Sequence, residues 1–271
     1  MNWISNRPTT AWRTLAVLAS WRFICCCGLT AIADAQPYPP TITGRIVVEG
    51  KVPVAKPLGP GNDECCQLAK PIDQSVLIGT DSGLANVLVT VETRRGEPKL
   101  KYEVEPIEES PALLTNKGCA FEPRVLVVWV GQTLVLANAD PTMHNVNIDF
   151  VRNPSVNVVV EPDGRREILL KKAEPKPVAV RCNVHTFMNG WIVIRNHDLS
   201  ASVSTENGSF QLPFLPTGDR RLRFWHEGRP LVALPVAGRK TDKRGEVVVT
   251  VPKSGPLDLG DIVVSADSLR P

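Results

Sequence analysis

Within seven residues the chain places a thiol, an imidazole and a thioether: Cys182, His185 and Met188 in Cys182-Asn183-Val184-His185-Thr186-Phe187-Met188. The run PVAVRC leads into this segment and WIVIRN leaves it. Both read as strands, so the three groups sit on one tight loop between them. A soft thiolate binds copper strongly, imidazole suits both oxidation states, and a weakly held thioether favours the reduced ion. The missing second imidazole is upstream, at His144 in Asp140-Pro141-Thr142-Met143-His144-Asn145-Val146, read as a turn after the strand TLVLANA. If the two regions meet at one end of a β-sandwich, His144, Cys182 and His185 lie in a plane around one copper ion with Met188 axial. Ligands fixed between hydrogen-bonded strands have little freedom to rearrange, which suits one-electron transfer. A closed shell also lacks the open position that metal catalysis requires, so these residues point to a carrier and not an enzyme.

Taken singly, each residue has an ordinary reading. A lone Cys182 packs as a small hydrophobe and a lone Met188 fills core; the weight lies in the joint spacing. A Cys–His nucleophile would need a third orienting group and an oxyanion hole, and neither is evident. Structural zinc prefers a fourth strong ligand to Met. His197 and His226 have no Cys or carboxylate at ligand spacing and read as surface or strand-end residues. Met143 points away from its neighbour His144 in an extended segment.

The elements that must position these groups are strands. After Gln36 helical periodicity is hard to find, while short β-branched runs punctuated by Gly, Pro and Asn recur: GRIVVEG, NVLVTVE, RVLVVWV, TLVLANA, NVVVEP, EILLKK, PVAVRC, WIVIRN and EVVVTV. The 24 prolines fit loops and strand edges. An all-β chain of packed sheets is the expectation. Residues 36–115 hold strands around Gly44 to Gly50 and Ala85 to Glu92, separated by a proline-rich loop, and their domain membership is open. Residues 116–197 carry the chemistry. A further unit over 198–271 opens with a hairpin signal at Asn207-Gly208.

With 271 residues and 43% hydrophobic content, the chain can build one large or two ordinary cores. Basic and acidic residues nearly balance, 31 against 28, and no basic stripe with interleaved aromatics supports nucleic-acid binding. Residues 1–35 combine early arginines, apolar runs interrupted by Arg22 and a small-residue Ala33-Asp34-Ala35 pattern. That reads as a signal peptide, with an uncleaved anchor as the rival, and places the protein in the periplasm or cell envelope. No later run reaches the ~20 apolar residues needed to span a bilayer. Cys25, Cys26 and Cys27 would leave with the signal. In an oxidising compartment one of the vicinal pair Cys65 and Cys66 pairs with Cys119, Cys66 being preferred, and Cys182 stays free.

The segments RCNVHTFMNGW and DPTMHNV resemble the copper loop and upstream His-Asn segment of cupredoxins, in the short amicyanin-like Cys-x-x-His-x-x-Met form. GCAFEPRVLVVWVGQTLVLAN resembles the strand, Gly-Gln turn, strand run of the same family. The resemblance covers residues 116–197. It implies a Greek-key β-sandwich with one type 1 copper ion held by His144, Cys182, His185 and Met188. It further implies that Asn145 braces the two ligand loops and that His185 is the ligand nearest the surface. Val180, Asn183 and Val184 depart from the usual aromatic, small residue and proline. TENGSFQLPFLPTGDRRLRFWHEG is similar to carboxypeptidase regulatory-like, transthyretin-like β-sandwich modules, and GRIVVEGKVP looks like an opening strand of that kind.

These readings lead to an exported blue-copper protein passing single electrons to or from a redox partner such as a dehydrogenase or cytochrome. The alternative is a cell-envelope binding or adhesion protein with a vestigial or structural copper site. Copper trafficking is a third reading.

Overall fold

The computed structural model describes residues 40–52, 54–59, 61–97, 110–196 and 201–269. The signal-like stretch with Cys25, Cys26 and Cys27 lies outside these residues, as does His197. The described chain is nearly all β. It forms two sandwiches stacked against each other.

The site-bearing sandwich has one sheet ordered Val125–Trp129, Asn189–Arg195, Val178–Arg181, His144–Ile148 and Val156–Val160. Facing it are Ala120–Glu122, Ala112–Lys117, Thr133–Asn138 and Arg165–Leu169. Period-two alternation sends Val178, Val180, Ile192 and Ile194 inward against Leu114, Leu134 and Leu136. Asn189–Arg195 pairs antiparallel with Val178–Arg181 and parallel with Val125–Trp129. The segment between the first two of these strands is therefore held at both ends by ladder hydrogen bonds.

In the second sandwich, Ser209–Leu212, Ile42–Glu49 and Leu257–Ser265 form one sheet. Ala201–Val203, Leu88–Glu92, Gly218–His226, Arg229–Pro230 and Glu246–Val251 form the other. Segment 36–115 is thus divided. Ile42–Glu49 and Leu88–Glu92 join the C-terminal strands, whereas Ala112–Lys117 opens the site-bearing sandwich, so the latter is inserted between strands of the former. The Asn207-Gly208 turn does not close a simple hairpin. Its flanking strands pair with different partners, Leu88–Glu92 and Ile42–Glu49, so the turn carries the chain from one sheet to the other. Gly208 has φ +83°, and a Cβ there would clash with the Ile46 carbonyl oxygen, so glycine is needed for the crossing.

Sheet faces stack where the sandwiches meet. Leu88, Val125, Val193 and Trp225 form a small buried cluster, with the Trp191 and Trp225 rings edge to face at 5.0 Å. Val89 and Val91 point into the second core while Leu88 points to the first sandwich. Both faces of that strand are covered, which is why LVTV is apolar almost without a break. Two ion pairs fasten the contact, Arg124 to Glu227 at 2.7 Å and Arg195 to Glu92 at 2.9 Å. No helix among the described residues is long and apolar enough to cross a membrane.

The one α-helix among the described residues, Glu64–Ala69, escaped the sequence reading because six residues are too few to show a period. Asp63 caps it, its carboxylate accepting the Cys66 N–H at 3.0 Å. Cys66 is disulfide-bonded to Cys119, the preferred pairing, and this ties the helix to the site-bearing sandwich.

Candidate metal centre

His144, Cys182 and His185 come together in the fold. His144 is the first residue of strand His144–Ile148 and not part of the preceding turn. That strand pairs with Val178–Arg181, whose end delivers Cys182, so ladder register brings the two sequence regions into contact. His144 Nδ1 lies 3.1 Å from His185 Nδ1, and His185 Nδ1 lies 3.8 Å from Cys182 Sγ. Donor atoms of the three residues all fall within 4.8 Å of one another and all three residues are buried. Donors about 2.0–2.3 Å from a shared cation in a trigonal plane would sit roughly 3.5–3.7 Å apart. The observed separations bracket that spacing.

Hydrogen bonds orient each donor. The Asp140 carboxylate accepts the Gly118 N–H at 2.6 Å and the Cys119 N–H at 2.9 Å, and lies 2.8 Å from His144 Nε2. Gly118 and Cys119 both have positive φ, so their successive N–H groups converge on the carboxylate as an anion-binding nest. With Nε2–H donated to Asp140, His144 keeps its Nδ1 lone pair directed at His185 and Cys182. Burial lowers the His144 pKa, against the opposing pull of Asp140, and so favours the neutral ring that a metal ligand must be. On the other imidazole, Asp63 lies 3.3 Å from His185 Nε2. The Cys66 N–H, the Thr142 hydroxyl and His185 together hold the Asp63 carboxyl below its ordinary pKa. With a carboxylate behind each imidazole, the two ring Nδ1 atoms and a sulfur face one point, where a cation would relieve their mutual repulsion.

The Cys182 sulfur accepts the His185 N–H at 3.3 Å and the Asn145 N–H at 3.4 Å, which fixes its position. Asn145 also accepts the Asn183 N–H at 3.2 Å and donates to Asn157 at 2.8 Å, bridging the two ligand segments. Met188 is buried in the same core. Its N–H donates to the His185 carbonyl at 2.8 Å and its carbonyl accepts the Cys182 N–H at 3.3 Å, closing the loop on itself.

His185 is 6% exposed, more than His144, Cys182 or Met188, yet it is still buried, with Asp63 standing 3.3 Å from its Nε2. Met143, by contrast, is 45% exposed and directed away from the cluster. His226 ends strand Gly218–His226 as a buried residue, and burial pushes its pKa down to about 4.

Sequence reasoning missed Asp140 and Asp63. Asp140 stands four residues before His144, inside the segment already singled out, and a carboxylate so near a candidate ligand was the available signal. Asp63 had only a capping pattern to announce it, since its approach to His185 spans 122 residues of chain.

No family model matches the chain, and no curated protein matches it. Among solved structures it is similar to a copper-containing nitrite reductase from Thermus scotoductus SA-01, at 21% identity and TM-score 0.30 over 36% of this chain. That match spans 25% of the nitrite reductase's length. It is also similar to an amicyanin variant in its reduced Cu(I) form at pH 4, at 20% identity and TM-score 0.29 over 34% of this chain and 87% of that one. A purple cupredoxin from Nitrosopumilus maritimus matches at 18% identity and TM-score 0.27, over 31% of this chain and 99% of that one.

Proposed function

We propose that the protein is a type 1 copper protein of the cell envelope that carries single electrons between redox proteins. The observation that supports this most strongly is the convergence of His144 Nδ1, His185 Nδ1 and Cys182 Sγ on one buried point, with spacings of 3.1 and 3.8 Å. The donor set suits copper: the imidazoles of His144 and His185 and the Cys182 sulfur would hold the ion, with the Met188 thioether as the weak fourth ligand. When bound, the ion would supply a one-electron couple.

The remaining work falls to the chain. Asp140 fixes the His144 tautomer, Asn145 and the loop's own hydrogen bonds fix Cys182 and His185, and Asp63 backs the His185 ring. A shell held this firmly changes little between oxidation states, which is what a carrier needs. With no substrate position in that shell, the protein is read as a carrier and not an enzyme. The envelope location rests on the signal-like residues 1–35 and on the disulfide. The redox partner is read as a dehydrogenase or cytochrome.

A coulometric titration of the copper-loaded chain tests this proposal. One reversible electron per chain is expected. Met188→Leu should keep that stoichiometry while shifting the potential, and Cys182→Ser should abolish reversible exchange. A loaded chain that takes up no electron reversibly would reject the carrier role.

A further inference from the structure

Three of the four cysteines beyond residue 36 lie beside the metal centre without belonging to its ligand set. Donor atoms of Asp63, Cys65 and Cys119 lie within 4.8 Å of one another, and so do those of Asp63, Cys66 and His185. Cys66 and Cys119 are joined, while Cys65 is a free, half-buried thiol. The fold therefore gathers three sulfurs and a carboxylate at the start of helix Glu64–Ala69, over the edge of the site that carries His185.

We propose that, once the Cys66–Cys119 disulfide is reduced, Cys65, Cys66 and Cys119 with Asp63 form a second metal site, selective for a soft monovalent cation such as Cu(I). Reduction takes a dithiol. It gives up two electrons and two protons and closes its own disulfide, while the Cys66–Cys119 bond opens to two thiols. Cation binding then displaces thiol protons to solvent, and no further electron moves. The spacing is right for this step. Two thiolates on one cation at about 2.3 Å each lie no more than roughly 4.6 Å apart. The opened pair need only part to van der Waals distance, and Cys65 is already near Cys119.

Chemistry favours a metal over simple disulfide shuffling. Burial, with Asp140 and Asp63 nearby, raises the Cys65 pKa, which keeps the thiol from acting as a free nucleophile. The same negative surroundings attract a cation that replaces the proton. Thiolates without a rigid trigonal plane select Cu(I) over Cu(II). The location gives the site a use: Asp63, at the start of this helix, stands 3.3 Å from His185 Nε2, so a soft cation held here sits beside the proposed copper site.

This second site shares none of the four proposed ligands, so it can be tested separately. The full chain, with Cys25, Cys26 and Cys27 replaced by serine in every sample, is prepared oxidised or reduced by a dithiol and desalted without oxygen. Bound Cu(I) is then counted by competition with a chromophoric cuprous chelator. Reduction should add one cuprous ion per chain. Cys65→Ser should lose that added ion while keeping the first, and Cys182→Ser should lose the first while keeping the added one. A Cys66→Ser/Cys119→Ser chain, which needs no reduction, should hold no added ion and guards against misfolding in the single variant. No increment on reduction, or an increment that survives Cys65→Ser, would overturn the proposal. Absence of Cu(I) from the oxidised chain would instead count against the electron-carrier reading.

Discussion

The two sandwiches are built by the same rule and finished differently. The second packs a core of aliphatic and aromatic side chains, among them Ile42, Ile46, Leu222 and Phe224, and its buried polar residues, such as Thr90, Ser204, His226, Thr241 and Glu246, do not converge on one point with a thiol. The first has an equally buried aliphatic floor, yet at one end it closes on His144, Cys182, His185, Asp140 and Asn145. Burying polar groups costs stability unless each is partnered. In the first sandwich the Asp140, Cys182 and Asn145 hydrogen bonds meet that demand, while the two imidazole Nδ1 atoms and the Cys182 sulfur still face one another. The lesson is that convergence, more than buried polarity as such, marks where chemistry is intended: donors braced from outside and turned toward one internal point.

Breaking the apolar core should have the largest effect. Phe224→Ala removes a fully buried ring packed edge to face on Phe210 and should cost about 3–5 kcal/mol in urea unfolding, leaving the spectrum of the folded, copper-loaded chain unchanged. Next comes the joint between sandwiches. Glu227→Gln leaves the Arg124 guanidinium, 8% exposed, without its charge partner and should cost roughly 3 kcal/mol. If that ion pair couples the two cores, a single melting transition should split in two in calorimetry.

Acid should act first on the second sandwich. The folded His226 pKa of about 4 lies below its unfolded value, so the neutral buried ring contributes fully above pH 6.5 and loses its contribution as pH falls from 6.5 toward 4. The loss should amount to at most roughly 3 kcal/mol. His226→Phe should flatten this part of the stability profile. The smallest change is expected from Asp140→Asn, which keeps the fold's shape but weakens the brace on His144. Copper affinity should fall by about 10–100-fold while the melting of the second sandwich stays put.

Much of the first sandwich was legible because its signals are local. Cys182, His185 and Met188 fall within one loop, and the runs PVAVRC and WIVIRN announce the strands that carry it. His144 could be assigned from ligand chemistry, although its place at the start of a strand instead of in a turn depends on pairing with distant Val156–Val160. What remained hidden was set by long-range contacts. Ile42–Glu49 shows alternation but nothing that reveals Leu257–Ser265 as its parallel partner. The carboxylate beside His185 comes from Asp63, and no short-range pattern connects those two residues. Asn207-Gly208 carried the right turn chemistry for a hairpin, yet which strands flank a turn is decided by packing against Ile46 and not by the turn itself.

The most direct test of the central claim is the visible absorption spectrum of the chain loaded with one equivalent of copper(II). If His144, Cys182 and His185 hold the ion as their spacing suggests, thiolate-to-copper charge transfer should give an intense blue or purple colour that vanishes on reduction and is absent in Cys182→Ser. A colourless one-to-one complex, or colour that survives the loss of Cys182, would contradict the account.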